Sequence, residues 1–120
     1  MREDVIRAAE AHLNGIGAKD ISAVPYHADV MVETPLGPPT KGAAALRQVI
    51  TGAFPLVKGI QIIRHIVDGD WCATLFDFEY TFGTFPIIDC FHVVDGQIVS
   101  IQAYYDPRPI LEGFMRAAAS

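Results

Sequence analysis

The sequence predicts an α+β fold in which helices pack on one face of a strongly curved, mainly antiparallel sheet. Apolar residues recur at helical spacing in the first half of the chain, whereas residues after Gly59 alternate with the period of two that is typical of strands. The dipeptides Asp68-Gly69 and Asp95-Gly96 each suit the tight turn of a hairpin. Helices first and an antiparallel meander afterwards indicate an α+β domain whose curved sheet leaves a cone-shaped interior pocket.

Composition narrows the class of protein. The 120 residues are expected to form one domain, 1–120, and no apolar run approaches the roughly 20 residues of a membrane span. The charged, amphipathic start is unlike a secretory signal. A net charge of −5 without a Lys/Arg cluster argues against binding to nucleic acid or anionic membranes. Cys72 and Cys90 are expected as buried thiols. We therefore expect a soluble, cytoplasmic protein.

The first half is predicted to hold three helices. One runs from about Glu3 to Gly17, because its apolar side chains form a single stripe that includes His12. A short second helix is predicted over residues 19–24, and a third from about Gly42 to Phe54. His12 thus points into the protein, either as a core histidine satisfied by a carbonyl or as a polar group at the end of a pocket.

The strand boundaries are predicted from residues that are typical of turns and from residues that interrupt regular structure. The prolines of Pro35–Pro39 are expected to forbid regular structure, and a loop is expected at Phe82–Phe85. The remaining predicted elements are a short strand at Val30–Glu33, long strands at Ile60–Val67 and Trp71–Thr81, two long strands within Pro86–Pro109, and a C-terminal helix or tail at Ile110–Ala119.

Asp89 lies inside an otherwise apolar strand. Alternation places it on one face with Ile87, Phe91 and Val93. A carboxyl among such neighbours is costly to ionise unless a charge or a hydrogen bond stabilises the ionised form. Asp89 is therefore the first candidate for a functional residue.

The strand Trp71–Thr81 has an aromatic face and a mixed face. Thr74, Phe76 and Phe78 share the first, while alternation sends Asp77 and Glu79 to the second, as solvent or dimer-face residues. The same alternation predicts an apolar outer sheet surface, and hence a homodimer through that face, from Ala73, Leu75, Ile88 and Cys90.

Four segments together resemble a known family: Val32-Glu33-Thr34-Pro35-Leu36-Gly37, Phe78-Glu79-Tyr80, Ile88-Asp89-x-Phe91 and Ser100-Ile101-Gln102-Ala103-Tyr104. In their order and spacing they resemble the nuclear transport factor 2-like superfamily, and within it the bacterial Δ5-3-ketosteroid isomerases. Polyketide cyclases of the SnoaL type and limonene-epoxide-hydrolase-like enzymes also belong to that superfamily. The resemblance covers nearly the whole chain and implies the cone-shaped fold.

The resemblance also implies roles for individual residues. The isomerases move a proton beside a ketone with an aspartate base, while a tyrosine and a protonated aspartate donate hydrogen bonds to the oxyanion. Asp89 matches the protonated aspartate, and Phe78 and Tyr105 match pocket aromatics. The base position holds Thr34, whose hydroxyl cannot take a proton from carbon near neutral pH. The tyrosine position holds His12, which could donate a hydrogen bond or act as a base.

Asp106 offers a second chemistry. The run Tyr104-Tyr105-Asp106 resembles the carboxylate setting of the epoxide hydrolases in the superfamily. Those enzymes also need an Arg-x-Asp on the aromatic strand, where this chain has Phe76 and Phe78. Asp106 is therefore a catalytic candidate or only a turn-former before Pro107.

Three hypotheses follow. In the first, the protein is an enzyme acting on a small hydrophobic carbonyl compound by proton transfer with oxyanion stabilisation, with Asp89, His12 and Asp106 as catalytic candidates. The alternatives are a non-catalytic binding protein for a hydrophobic small molecule and a SnoaL-like cyclase or epoxide-hydrolase-like enzyme. No cofactor is expected, and no metal, since the remaining histidines are scattered. The expected substrate-binding residues are Thr34, Phe54, Thr74, Phe76, Phe78, Phe91 and Tyr105.

Overall fold

The computed structural model describes residues 2–119, in which three helices accompany one six-stranded, curved sheet. The helices are α1 (Arg2–Ala18), α2 (Ala43–Ala53) and α3 (Pro107–Ala119), with a 3₁₀ turn at Phe54–Leu56. The strands are β1 (Tyr26–Thr34), β2 (Gly37–Lys41), β3 (Val57–Asp68), β4 (Trp71–Tyr80), β5 (Gly83–Val94) and β6 (Gln97–Tyr104). The sheet order is β2-β1-β6-β5-β4-β3, antiparallel except for the β1/β6 pair. The predicted α+β class is confirmed.

Helix α1 carries its apolar stripe as predicted, and it buries Val5, Ala9, Leu13 and His12 against the sheet. The helix ends at Ala18 in a Schellman motif. Lys19 adopts φ 59°, its N–H bonds to the Ile16 carbonyl at 3.0 Å, and the Asp20 N–H bonds to the Gly15 carbonyl at 2.9 Å.

The predicted second helix at residues 19–24 is wrong, because this segment is a turn. The Asp20 carboxylate accepts hydrogen bonds from the N–H and hydroxyl of Ser22, at 3.0 and 2.6 Å. The guanidinium of Arg47 in α2 donates to the carbonyls of Ile21 and Val24. These contacts satisfy the backbone without a helical turn.

The expectation of irregular structure at Pro35–Pro39 is also wrong in part. Strand β2 begins at Gly37 and pairs with β1, with Met31 opposite Lys41 and Val32 opposite Thr40. It lies at the edge of the sheet, so the missing N–H groups of Pro38 and Pro39 need not break a central ladder.

The two long hairpins form as predicted, and the loop between them is shorter than expected. Asp95 and Gly96 have φ values of 50° and 74°, as a type I′ turn requires. Strand β5 already begins at Gly83, opposite Tyr80, so Phe85 lies in the strand rather than in a loop.

Alternation decides the faces of β4 and β5. On the inner face, Thr74, Phe76, Asp89 and Phe91 are all buried, which confirms their predicted orientation. The outer face carries Asp77 and Glu79, and it exposes apolar side chains, among them Ile66, Trp71, Ile88 and Tyr104. A homodimer through this face stays a prediction. None of the helices in residues 2–119 is both long enough and apolar enough to cross a membrane.

A bulge in β3 changes its inner face midway. Ile62 pairs with Phe76 and Arg64 with Leu75, so Ile63 is the extra residue. As a consequence His65 turns inward, where its Nε2 lies 3.1 Å from Glu10 of α1 and its Nδ1 lies 2.8 Å from the Thr74 hydroxyl. This contact fixes α1 on the sheet.

Helix α3 packs on an aromatic cluster through Gly113. The rings of Tyr80 and Phe82 are stacked at 4.9 Å, and the Phe114 ring packs edge-on against both. A Cβ atom at Gly113 would lie 2.1 Å from the Phe82 ring, so only glycine permits this approach.

We predict that Gly113→Ala destabilises the protein by about 1–3 kcal/mol, because the methyl group would displace the Phe82 ring. The matched control is Gly52→Ala in α2, where an added Cβ meets nothing within 4 Å. There the higher helix propensity of alanine should raise stability by up to about 1 kcal/mol. Urea unfolding midpoints measure both effects; equal stability of the two variants would contradict the packing described for α3.

Candidate functional site

A cavity of about 450 Å³ lies between the inner face of the sheet and helices α2 and α3. Most of its lining is aliphatic or aromatic, and polar side chains come from Thr34, Tyr80, Asp89 and Tyr105. Among the lining residues that the structure describes, Asp89 is the one carboxyl group, and there is no lysine or arginine. The lining residues are Ile16, Thr34, Leu36, Val49, Ile50, Gly52, Ala53, Leu56, Val57, Phe76, Phe78, Tyr80, Ile87, Asp89, Ala103, Tyr105 and Phe114.

Asp89 lies in the middle of β5, with Thr74 of β4 and Ala103 of β6 as its neighbours in register. It is 6% exposed, and burial raises the pKa of its carboxyl from 3.8 to about 7. Nε2 of His12 lies 3.9 Å from its Oδ2, which is beyond hydrogen-bond distance. The carboxyl is therefore free to hydrogen-bond a guest in the cavity.

His12 reaches Asp89 from the side of α1, behind the cavity wall. Its Nδ1 lies 2.6 Å from the Tyr26 hydroxyl, and its ring packs edge-on against Phe91 at 5.5 Å. Burial lowers the pKa of the imidazole from 6.5 to about 4, so His12 is neutral near pH 7. Because His12 does not line the cavity, it can act on a ligand only through Asp89.

From the sequence, Tyr26 could lie at the pocket rim or cap a loop, but its contact with His12 was not predicted. Its ring lies 4.9 Å from the Arg47 guanidinium, and burial raises the pKa of its phenol. Alternation along β1 gives no signal for this position, because the register with β6 shifts between Tyr26 and Met31. Only the packed fold brings Tyr26 to His12, which is 14 positions away in the chain.

The wall opposite α1 is aromatic. Phe78 stacks on Tyr80 at 4.0 Å, and the Thr34 hydroxyl beside Tyr105 partly offsets the rise in the pKa of that phenol. Burial raises the pKa of both tyrosines, so their hydroxyl groups keep their protons near neutral pH. The Thr34 oxygen also accepts the Leu36 N–H at 3.2 Å. Thr34, Phe76, Phe78 and Tyr105 thus line the cavity, as predicted.

Three other residues expected to bind substrate do not line it. Phe91 follows Asp89 by two positions on the same face of β5, where it is fully buried in the core and does not reach the cavity. Thr74 is fully buried and is hydrogen-bonded to His65. Phe54 begins the 3₁₀ turn and packs against the core from that position.

Asp106 does not line the cavity either. Its side chain is half exposed at the start of α3, where Oδ1 accepts the Arg108 N–H at 3.1 Å. The Arg108 guanidinium bonds to both carboxylate oxygens and holds the pKa of Asp106 below its usual value. This position corresponds to the turn-former alternative rather than to a catalytic carboxylate. No group of three or more metal-ligating side chains occurs among residues 2–119.

The shifted pKa values of Asp89 and His12 predict opposite effects of pH on stability. Asp89 binds its proton more tightly in the folded state, so its contribution of about 4 kcal/mol is present below pH 4 and is lost as pH rises through 7. His12 binds its proton less tightly when folded, so its contribution is lost as pH falls from 6.5 through 4. Between pH 4 and 6.5 the two effects largely cancel.

We therefore predict that Asp89→Asn raises the free energy of unfolding relative to wild type, by more at pH 8 than at pH 5. Asp106→Asn is the control, because Asp106 has a lowered pKa and its removal should cost stability at pH 8 and less at low pH. Thermal unfolding across pH measures both differences. A stability difference for Asp89→Asn that does not change between pH 5 and 8 would exclude the raised pKa.

Comparisons with known proteins support the fold and the family. The sequence profile of the SnoaL-like domain matches residues 9–101. No curated protein matches the chain by sequence.

Three solved structures illustrate the likeness of fold. An NTF2-like protein from Cytophaga hutchinsonii superimposes with a TM-score of 0.79 at 15% identity, over 89% of this chain and 94% of that one. A steroid delta-isomerase from Pseudomonas aeruginosa superimposes with a TM-score of 0.75 at 19% identity, over 97% of this chain and 92% of that one. TerC, crystallised with polyporic acid, superimposes with a TM-score of 0.76 at 20% identity, over 91% of this chain and 96% of that one. At these identities the likeness shows the fold alone. With most of its length matched by the domain profile, the chain belongs to the SnoaL-like domain family, within the NTF2-like fold that the sequence resembled.

Proposed function

We propose that the protein binds a small, mostly apolar carbonyl compound and catalyses proton transfer at the carbon beside the carbonyl. One observation carries the proposal: a carboxyl group with a pKa of about 7 lines a cavity that is otherwise largely apolar. A group with a pKa near the working pH is well suited to move protons. A steroid delta-isomerase among the structural neighbours also supports the proposal.

The lining restricts the charge of the ligand. Because no lysine or arginine is among the described lining residues, a carboxylate or phosphate would enter without a counter-charge and would meet Asp89. A neutral carbonyl oxygen can instead accept a hydrogen bond from protonated Asp89. The aromatic side chains Phe76, Phe78 and Phe114 then contact the hydrocarbon part.

Asp89 acts as the acid in this proposal. Its proton passes to the carbonyl oxygen as the enol forms, and one such donor is worth roughly 3 kcal/mol of barrier. The carbon proton leaves to water, because Thr34 is no base and His12 lies behind Asp89. The rate should fall as pH rises through about 7, where Asp89 loses its proton.

We predict that the protein accelerates exchange of the hydrogens beside the carbonyl of 1-tetralone in D₂O by about 100-fold over buffer. Asp89→Asn should still bind 1-tetralone, because an amide N–H can donate a hydrogen bond, but should lose the exchange. Asp89→Ala should lose both. Tyr104→Phe, which alters an exposed residue outside the cavity, should change neither. NMR spectra follow the exchange, and equal exchange in wild type and Asp89→Asn would refute proton transfer by Asp89.

A non-catalytic binding protein is the second candidate, favoured by Thr34 at the position of the base. We predict that Thr34→Asp, which adds a carboxylate to the lining opposite Asp89 in the family's arrangement, increases exchange at least tenfold. Binding of 1-tetralone by wild type without exchange, together with exchange by Thr34→Asp, would establish the binding function. No increase in the variant would show that Thr34 does not occupy the place of a base.

A further inference from the structure

We infer that Tyr26 and His12 are positioning residues that set the direction in which Asp89 presents its proton, and thereby restrict the cavity to neutral hydrogen-bond acceptors. The inference rests on the proposed function for its ligand, but its central claim concerns a proton within the protein. It starts from two distances: 2.6 Å from the Tyr26 hydroxyl to Nδ1 of His12, and 3.9 Å from Nε2 of His12 to Oδ2 of Asp89.

The hydrogen of the Tyr26 hydroxyl identifies the tautomer of His12. Among the described residues, the hydroxyl has one hydrogen-bond partner, Nδ1 of His12. If Nδ1 carried the imidazole proton, it would donate to the tyrosine oxygen, and the buried hydroxyl hydrogen would have no acceptor. If the hydroxyl donates to Nδ1, both atoms are satisfied. A neutral imidazole then carries its proton on Nε2.

The ring of Tyr26 is itself held in place by a neighbouring side chain, Arg47 of α2. The Arg47 guanidinium lies over its ring and is held by the carbonyls of Ile21 and Val24, at the loop that leads into β1. The hydroxyl therefore has little freedom to turn to another acceptor.

With its proton on Nε2, His12 places an N–H group 3.9 Å from Oδ2 of Asp89, too far for a hydrogen bond but close enough for its dipole to act on that oxygen. A hydrogen there faces the lone pairs of that oxygen, so the acid proton of Asp89 is favoured on Oδ1, the oxygen farther from His12. A carboxyl that lines the cavity with its proton on Oδ1 presents a donor, so a ligand that accepts a hydrogen bond is favoured. With the opposite tautomer, the lone pair of Nε2 would instead favour the acid proton on Oδ2, the oxygen nearer His12.

The other titratable groups around Asp89 do not compete for this role. Tyr80 of β4 and Tyr105 after β6 line the same cavity, and burial raises the pKa of both phenols, so they stay neutral near pH 7. Arg47 faces the ring of Tyr26 rather than Asp89. His12 is the one imidazole near the carboxyl within residues 2–119.

The test is nitrogen-15 NMR of the wild-type protein at pH 7, with His12 assigned by its absence in His12→Gln. We expect His12 to be neutral with its proton on Nε2. In Tyr26→Phe the proton should distribute between the two nitrogens. The pKa of Asp89, measured by carbon-13 NMR, should then rise, because the Nε2 lone pair of the second tautomer favours the protonated carboxyl. Tyr104→Phe, a matched change at an exposed tyrosine, should alter neither value.

Ligand binding supplies a separate measurement. Tyr26→Phe should weaken binding of 1-tetralone about three- to tenfold, the value of one hydrogen bond, and leave binding of tetralin, the same ring system without the oxygen, unchanged. Equal weakening for both compounds would mean that Tyr26 only maintains the shape of the cavity. A wild-type His12 protonated on Nδ1, or an unchanged tautomer in Tyr26→Phe, would overturn the inference. If wild type fails to bind 1-tetralone, the proposed function fails while the tautomer measurement still decides the inference.

Discussion

The burial of one carboxyl group in an apolar cavity is the constraint on which the rest of this structure depends. Asp89 is shielded from water by β4, β6 and α1, and the described part of the chain places no cation beside it. Desolvation therefore dominates its titration and brings the pKa to the range in which a carboxyl can give up or regain a proton.

The fold keeps His12 neutral for the same reason. Burial lowers the pKa of the imidazole as it raises that of the carboxyl, so near pH 7 His12 is neutral and Asp89 is about half protonated. A buried ion pair between them would need closer contact and more hydrogen bonds than the 3.9 Å separation provides. The pair is therefore better described as a neutral imidazole beside a titrating carboxyl than as a salt bridge.

Two local features of the fold, a bulge in β3 and a glycine in α3, help to position the side chains around Asp89. The bulge at Ile63 turns His65 inward to meet Glu10, and this contact holds α1, which carries His12, against the sheet. At the other end, Gly113 lets α3 approach Phe82, so that Phe114 reaches the cavity. Neither feature contains a catalytic group, yet each determines which side chains surround Asp89.

The sequence by itself was sufficient for the fold class, the hairpin turns at Asp68-Gly69 and Asp95-Gly96, and the inward orientation of His12 and Asp89, since these follow from local periodicity and turn chemistry. It also indicated most of the aromatic wall, because Phe76 and Phe78 alternate regularly on β4. Prediction from the sequence failed for structural features that depend on residues far away in the chain. Strand β2 exists because the edge of the sheet tolerates Pro38 and Pro39, and no local pattern reports an edge.

The tertiary structure alone decided which predicted residues reach the cavity. Phe91, Thr74 and Asp106 have the residue types that a site needs, but the depth of the core and the start of α3 place them elsewhere. The contact between Tyr26 and His12 joins a helix to a strand across the core, and only packing can form it. Periodicity tells which way a side chain points; the partner that it meets is set by elements far away in the chain.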